Sequence, residues 1–238
     1  MQASTLLVAS FSALAVTLAV AVVGAVYWSG RRSGLNAAVA GRGALLAAAG
    51  ATLWLALTFA AARSGALSFT SRPPTMIGLL GAIGALAFGL GFSRVGTRLA
   101  TALPLAVLVG FQGFRILVEL LMHRAYVEGL MPVQMSYSGR NFDIVSGITA
   151  VVVGILIALG KAPRPVVLAW NLLGVGLLLN VLTIAILSAP LPIRVFHNEP
   201  ANVWVTEAPW VWLPAVMVLL AILGHILVFR RLRADSRG

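Results

Sequence analysis

The chain has 238 residues, of which 60% are hydrophobic and only 10% are charged, and its mean hydropathy is +1.00. Soluble domains carry about 25% charged residues, so this composition excludes an ordinary soluble protein. The formal net charge of +11 does not indicate a nucleic-acid partner, because the basic residues are scattered between apolar stretches and form no basic domain.

Seven segments of the chain are apolar and long enough to cross a bilayer, for which a helix needs about 20 mostly apolar residues. We therefore predict an all-α protein, a polytopic membrane helix bundle that forms a single integral-membrane domain over residues 1–238. The lipid bilayer is then its main partner. In chain order, the predicted spans are 5–28, 43–62, 75–92, 99–122, 144–160, 166–188 and 211–229.

The loops between the predicted spans differ in charge, and this difference predicts the orientation. Eleven basic residues, Arg237 among them, fall on the side of the carboxyl terminus, five fall on the opposite side, and Arg115 lies within a span. Because basic residues concentrate in cytoplasmic loops, we expect a cytoplasmic carboxyl terminus and an outside amino terminus in a cell inner (plasma) membrane. No basic residue precedes the first span, whereas Arg31 and Arg32 follow it, opposite to the polarity of a cleavable signal peptide. Arginine greatly outnumbers lysine, which favours a GC-rich bacterial source.

The third predicted span contains a row of small residues. Gly81, Ala85 and Gly89 recur at every fourth position, a spacing that lets a neighbouring helix approach closely. We expect this row to pack within the bundle. The alternative is that it joins two copies of the chain, so a homo-oligomer stays open, as does membership of a larger membrane complex.

The fourth predicted span carries ionisable residues. On a helix, Gln112, Arg115, Glu119 and His123 fall within about 80° of arc and extend over roughly 16 Å of the axis. A charged side chain at the centre of a bilayer costs roughly 2.5–3.5 kcal/mol, so such residues generally line a cavity or a pathway. We therefore predict a polar site in the outer half of the bundle.

Two later spans supply polar residues at a matching depth, Asp143 at the start of the fifth and Asn180 in the outer half of the sixth. A structural alternative needs no ligand: Arg115 and Glu119 are four residues apart and could neutralise each other on one helix. Asp143 could likewise serve only as a helix cap. The predicted ligand-binding residues are Gln112, Arg115, Glu119, His123, Asp143 and Asn180.

The first functional hypothesis is the binding or transport of a small polar or anionic molecule. Arg115 would offer its planar fork to a carboxylate or phosphate, and Glu119 would orient the ligand or carry a proton. The second hypothesis is an accessory or assembly subunit of a larger membrane complex, which needs no pocket. The chain has no glycine-rich phosphate loop and no Gly-x-Ser-x-Gly elbow, which favours a protein that is not an enzyme.

The third hypothesis is a membrane-embedded metal-dependent hydrolase. His123 and His197 both lie on the predicted outer side, and with Glu119 or Asp143 they would make a catalytic zinc set. The sequence requires no cofactor, and the lack of cysteine excludes thiolate zinc sites. His225, near the inner end of the last span, is expected to be a packing residue outside this site. A copper variant of the metal site, based on soft thioethers, would use Met122, His123, Met131, Met135 and His197.

Overall fold

The computed structural model describes residues 3–236, so Arg237, which entered the charge count, lies outside the described residues. The chain is 75% helical, with no strand between residues 3 and 236. Six of its helices are long and apolar enough to cross a membrane. The prediction of an all-α, multi-pass membrane bundle is confirmed to that extent.

In chain order, the helices are α1 Thr5–Arg32, α2 Ala37–Arg63, α3 Thr75–Phe92, α4 Arg94–Ala102, α5 Leu105–Gly110, α6 Phe114–Val127, α7 Asp143–Ala158, α8 Arg164–Leu187 and α9 Leu219–Asp235. A 3₁₀ turn at Phe111–Gly113 joins α5 to α6, and a π-helical segment at Leu213–Val218 leads into α9. Helices α1, α3, α7 and α8 lie within about four residues of their predicted spans, whereas α2 begins at Ala37, before the predicted 43, and the last helical segment ends at Asp235, after the predicted 229.

Polar side chains mark the beginnings of several helices. The Ser4 side chain accepts the backbone N–H of Leu7 at the start of α1, and Asn36 does the same for Val39 at the start of α2. Such caps satisfy backbone donors that have no partner within the helix. Asp143, by contrast, makes no capping hydrogen bond, because α7 begins at Asp143 itself and its carboxylate is used elsewhere. The capping interpretation of Asp143 is therefore wrong.

The fourth predicted span differs from the observed one. Helix α4 ends at Ala102, and Leu103 is extended, with φ −77° and ψ 142°. The cause is Pro104, which lacks an N–H and disfavours helical backbone in the residue before it. The segment that is long and apolar enough to cross a membrane therefore begins at Leu105 and continues to Val127, five residues beyond the predicted end at position 122.

The fifth predicted span is also shorter than a typical membrane helix. Helix α7 has 16 residues, or roughly 24 Å of rise, against a bilayer core of about 30 Å. It is apolar, but it does not belong to the six helices that are long enough to cross by themselves.

Helix α9 lies at the centre of the bundle. Its membrane-length segment is 72% buried, and it contacts α3, α4, α5 and α8. Helix α2 lies at the periphery, with 6% of its apolar segment buried and with Leu45, Leu46 and Leu53 exposed. Such a continuous apolar outer surface is unusual for a soluble protein and is expected of a surface that faces lipid.

The small-residue row of α3 does not pack inside the bundle. Gly81, Ala85 and Gly89 are exposed, and a methyl group added at Gly81 or Gly89 would meet no atom within 4 Å. Helix α3 instead buries Ile83 and Ala87. The expectation of internal packing by this row is therefore wrong, because the opposite face of α3 contacts α9. The tight internal crossing is at α7, where a methyl group at Gly147 would lie 2.8 Å from the Ile116 nitrogen.

Candidate functional site

Arg115 on α6 and Asp143 at the start of α7 form a buried ion pair. The Arg115 side chain is 2% exposed and the Asp143 side chain 8%. The guanidinium Nε donates to Asp143 Oδ2 at 2.7 Å, and Nη2 donates to Oδ1 of the same carboxylate. This two-point contact is the strongest geometry available to an arginine and a carboxylate. It fixes α6 against α7.

The rest of the guanidinium reaches two more helices. Arg115 Nη1 donates to Ser146 Oγ at 2.8 Å and lies 2.9 Å from His225 Nε2. The Gly174 carbonyl oxygen lies 3.5 Å from Nη1 and 3.4 Å from Nη2. We call Arg115, Asp143, Ser146 and His225 the ion cluster. It joins α6, α7 and α9, and the Gly174 carbonyl oxygen of α8 lies beside the guanidinium.

The protonation of His225 follows from its neighbours. Arginine has no hydrogen-bond acceptor, so His225 Nε2 must accept from Arg115. The other ring nitrogen, Nδ1, lies 2.8 Å from Asn171 Oδ1 and therefore donates to it, while Asn171 Nδ2 donates to the His225 carbonyl oxygen at 3.2 Å. His225 is thus a neutral imidazole in one defined tautomer, with both nitrogens bonded.

The position of His225 corrects the prediction that it lies outside the site. The last helical segment continues from Leu213 to Asp235, beyond the predicted end at position 229. His225 therefore lies near the middle of this segment and is 2% exposed. Gly174 makes room for it, because a methyl group there would lie 2.9 Å from His225 Nε2 and would overlap the ring.

Glu119, one turn after Arg115, has a different partner. Both of its carboxylate oxygens accept from Asn141 Nδ2, each at 2.8 Å. The same amide nitrogen donates to the Met135 carbonyl oxygen at 2.9 Å, and Asn141 Oδ1 accepts from the Asp143 backbone. No ion pair to Glu119 occurs within 4 Å among residues 3–236. The structural alternative that paired Arg115 with Glu119 is therefore wrong, because the guanidinium turns toward Asp143.

The three remaining predicted site residues, Gln112, His123 and Asn180, lie in three different surroundings. Gln112 is buried behind the ion cluster, where its Nε2 donates to the Ala221 carbonyl oxygen at 3.3 Å. His123 stacks on Tyr137 with ring centroids 4.3 Å apart, and its Nδ1 lies 3.2 Å from Ser138 Oγ. Asn180 donates to the Arg140 carbonyl oxygen at 3.0 Å. These three residues are not brought into the space beside Arg115 and Glu119.

The predicted histidine-based metal site does not form. His197 is exposed, and no group of three His, Cys, Asp or Glu residues that could hold a metal occurs within positions 3–236. The hydrolase hypothesis required His123, His197 and a carboxylate to converge. In the structure, His123 is instead engaged by Ser138 and Tyr137.

A cavity of about 70 Å³ lies beside the ion cluster, with Arg115, Glu119 and Asp143 in its wall. Asn202, from the loop between α8 and the last helical segment, lines it from another side. Asn202 Nδ2 donates to the Ala185 carbonyl oxygen at 2.9 Å, but its Oδ1 is buried without a donor. The rest of the wall is apolar. Four of its residues are methionines, namely Met76, Met122, Met135 and Met217.

Sequence reasoning missed His225, Asn171 and Asn202 as neighbours of the site. Asn171 and His225 are polar residues within apolar helices, which is a usable signal, because such residues are costly in a membrane unless they have partners. Asn202 lies in a loop that contains several polar residues, and nothing in the sequence singles it out. Its burial depends on how the loop folds over the bundle.

The carboxyl-terminal end of α6 carries a second polar contact, which does not belong to the cavity. Glu128 accepts from the Ser4 backbone N–H at 2.7 Å and from Ser4 Oγ at 2.6 Å, and Arg124 Nε donates to it at 2.6 Å. The Ser4 hydrogen bonds, and then Arg124, hold the pKa of Glu128 below its usual range. This contact fastens the beginning of α1 to the end of α6.

Comparison with known proteins adds one finding. A family model described as "Domain of unknown function (DUF8737)" matches residues 72–233. The matched region contains Arg115, Glu119, Asp143, Asn202 and His225, and it leaves out α1 and α2. No curated protein and no solved structure matches the chain significantly.

Proposed function

The chain belongs to the DUF8737 family, and from this premise we propose that it binds a small cationic or hydrogen-bond-donating molecule in the cavity beside Glu119. The proposal rests on the burial of the Glu119 side chain and on its hydrogen-bond partners. Glu119 lines the cavity and is 1% exposed, and among residues 3–236 its only side-chain hydrogen-bond partner is the neutral amide of Asn141. A buried carboxylate without a cation is costly, and a ligand that supplies positive charge or donors would remove that cost.

Asn202 supports the same class of ligand. The residue lines the same cavity, and its buried Oδ1 has no donor among the described residues. A buried acceptor without a partner typically costs about 1–3 kcal/mol. Glu119 and Asn202 are therefore two residues with acceptor oxygens in the wall of one cavity. An ammonium group, a small metal cation or a protonated amine would satisfy both.

The anionic ligand of the sequence hypothesis has less support. Arginine has five N–H groups, and those of Arg115 already face Asp143, Ser146, His225 and the Gly174 carbonyl oxygen. None is left to hold a carboxylate or phosphate. In this proposal the ion cluster acts as a fixed wall, and the ligand contacts Glu119.

Transport is a second candidate function, favoured by the cavities on the two sides of the ion cluster. Arg115 lines the cavity of about 70 Å³, whereas His225, 2.9 Å from it, lines a separate groove of about 420 Å³ between α3, α8 and α9. Leu178 and Leu182 line both spaces. Passage from one space to the other would require the contact between Arg115 and His225 to open.

The proposed setting is the inner (plasma) membrane of a bacterium, with α7 as a seventh span, the amino terminus outside and the carboxyl terminus in the cytoplasm. Exposed apolar residues along α7, including Val145, Ile148 and Val152, support contact with lipid. A short span can be accommodated by local thinning of the bilayer. The basic residues at the end of α9 support a cytoplasmic carboxyl terminus. A role as a subunit of a larger membrane complex stays an alternative, and it predicts no ligand.

The test is ligand-dependent thermal stabilisation of the purified protein in detergent, with ammonium, methylammonium and guanidinium chlorides as probes and sodium chloride as the reference. Stabilisation by one of these cations should disappear in Glu119→Gln, which keeps the shape of the side chain. It should persist in Glu207→Gln, which removes an exposed carboxylate away from the cavity. Equal stabilisation of wild type and Glu119→Gln, or no stabilisation of wild type by any probe, would overturn the proposal.

A further inference from the structure

The methionines of this chain converge on one place. Residues 3–236 contain five methionines, and four of them line the cavity beside Glu119. They come from α3, α6, the 3₁₀ turn at Val133–Met135 and the π-helical segment at Leu213–Val218. None of the four is more than 2% exposed. The four residues are Met76, Met122, Met135 and Met217.

From this convergence we propose that the cavity binds a soft monovalent metal ion, Cu(I), through methionine thioethers. The inference rests on the proposed function, because it names the cation that the cavity takes. Thioether sulfur is a soft ligand that selects Cu(I) over harder ions such as Mg²⁺. Methionines that serve only as flexible filler would be distributed over the core. Met131 is such a residue, since it is buried but does not line the cavity.

The charge of the site suits a monovalent cation. Thioethers are neutral, so a metal ion held by them in an apolar cavity needs a counter-charge nearby. Glu119 is an acidic side chain in the same wall that carries one negative charge when it is ionised, and the charge of Asp143 is already matched by Arg115. Cu(I) therefore completes the charge balance with a single ion. Zn²⁺ would lack the imidazole, thiolate or carboxylate set that it prefers.

The site differs from the copper set that the sequence alone suggested. That set contained Met122 and Met135, which do line the cavity, together with His123, His197 and Met131, which do not. Met76 and Met217 take their place, and they come from distant parts of the chain. Asn202 and Val205, from the long loop after α8, complete the wall on that side.

The experiment measures Cu(I) binding to the full chain in detergent, without oxygen and with ascorbate, by competition against a coloured Cu(I) chelator. The test variant is Met122→Leu/Met217→Leu, and the matched control is Met131→Leu. Leucine keeps the size and apolar character of methionine, so all three proteins should keep their helical circular dichroism. We expect wild type and Met131→Leu to bind with equal affinity, and the double variant to bind at least about tenfold more weakly, as loss of metal-site residues generally does.

An X-ray absorption spectrum of the copper-loaded wild type should show sulfur neighbours, although the chain has no cysteine. Absence of Cu(I) binding by wild type, or unchanged affinity in the double variant, would overturn the proposal. If the double variant does not fold, the two single leucine variants take its place. Stabilisation by an ammonium probe that depends on Glu119, without Cu(I) binding, would remove this inference and leave the proposed function intact. If wild type neither binds Cu(I) nor is stabilised by any of the cation probes, this inference and the proposed function are both overturned.

Discussion

The guanidinium of Arg115 binds the carboxylate of Asp143, although Glu119 lies only one turn away on the same helix. This pairing of Arg115 with Asp143 has two consequences. It joins α6 to α7 through a buried ion pair, and it leaves Glu119 with a neutral partner at the wall of a cavity. The function proposed above depends on the second consequence, and the stability of the bundle depends on the first.

The buried ion pair predicts a large effect of removing one partner. Arg115→Ala should lower the free energy of unfolding by about 3–5 kcal/mol, because it leaves the Asp143 carboxylate buried without a cation. Arg124→Ala is the control. It removes a guanidinium that is 57% exposed, and an exposed pair contributes about 0–1 kcal/mol. Denaturant unfolding in detergent measures the free energy of unfolding of each variant and of wild type. Equal stability of Arg115→Ala and wild type would show that the ion cluster does not hold the bundle together.

The close contact between α8 and the His225 ring predicts different effects at two glycines of one helix. Gly174→Ala should destabilise the protein by about 1–3 kcal/mol, the usual cost of overpacking, because the added methyl group would overlap His225 and lie 3.0 Å from Ser146 Oγ. Gly176→Ala should not, because nothing lies within 4 Å of the added atom. The comparison of the two melting temperatures is the measurement, and a similar loss in both variants would contradict the packing described here.

The contact between Ser4 and Glu128 predicts a pH dependence. The pKa of Glu128 is lowered in the folded protein, so the unfolded chain binds more protons as the pH falls below the ordinary glutamate pKa of about 4.3. The stability contributed by this contact is therefore present at neutral pH and is lost as the pH falls through the folded pKa. Glu128→Gln should melt at a lower temperature than wild type at pH 7, and the difference should shrink in acid. Glu207→Gln is the control, and a difference that does not change with pH would contradict the assignment.

The absence of native cysteine makes the topology directly measurable. Ser138 and Lys161 are exposed residues on either side of α7. If α7 crosses the membrane, a membrane-impermeant maleimide applied to intact cells should label Ser138→Cys but not Lys161→Cys. Both should be labelled after the membrane is permeabilised, which controls for accessibility. Labelling of both variants in intact cells, or of neither, would show that α7 does not cross.

Much of the fold could be read from the sequence, because helices in a membrane are specified locally by apolar length. The predicted boundaries of α1, α3 and α8 lie close to the observed ones. The error at residues 99–122 also has a local cause, since Pro104 was the signal that the helix would break there. Periodicity likewise placed Arg115 and Glu119 on one face, and both line the same cavity.

The partners of those residues could not be predicted in the same way. A helical pattern fixes the face and the depth of a side chain, but it does not say how far each helix is rotated or which neighbour it meets. His225 illustrates this limit, because its contact with Arg115 depends on the missing side chain of Gly174 and on the central position of α9. Asn202 shows the same limit for a loop residue, because its place in the cavity wall depends on how the loop after α8 folds over the bundle.

The sequence by itself determined that this chain is helical, with helices long and apolar enough to cross a membrane, and that α6 carries a polar face, because both follow from local composition and from the 3.6-residue period. Only the tertiary structure decided that Arg115 pairs with Asp143, that Glu119 lines a cavity, and that four methionines line the same cavity. The physical reason is that these relationships join residues far apart in the chain. Their geometry is set by the packing of several helices at once.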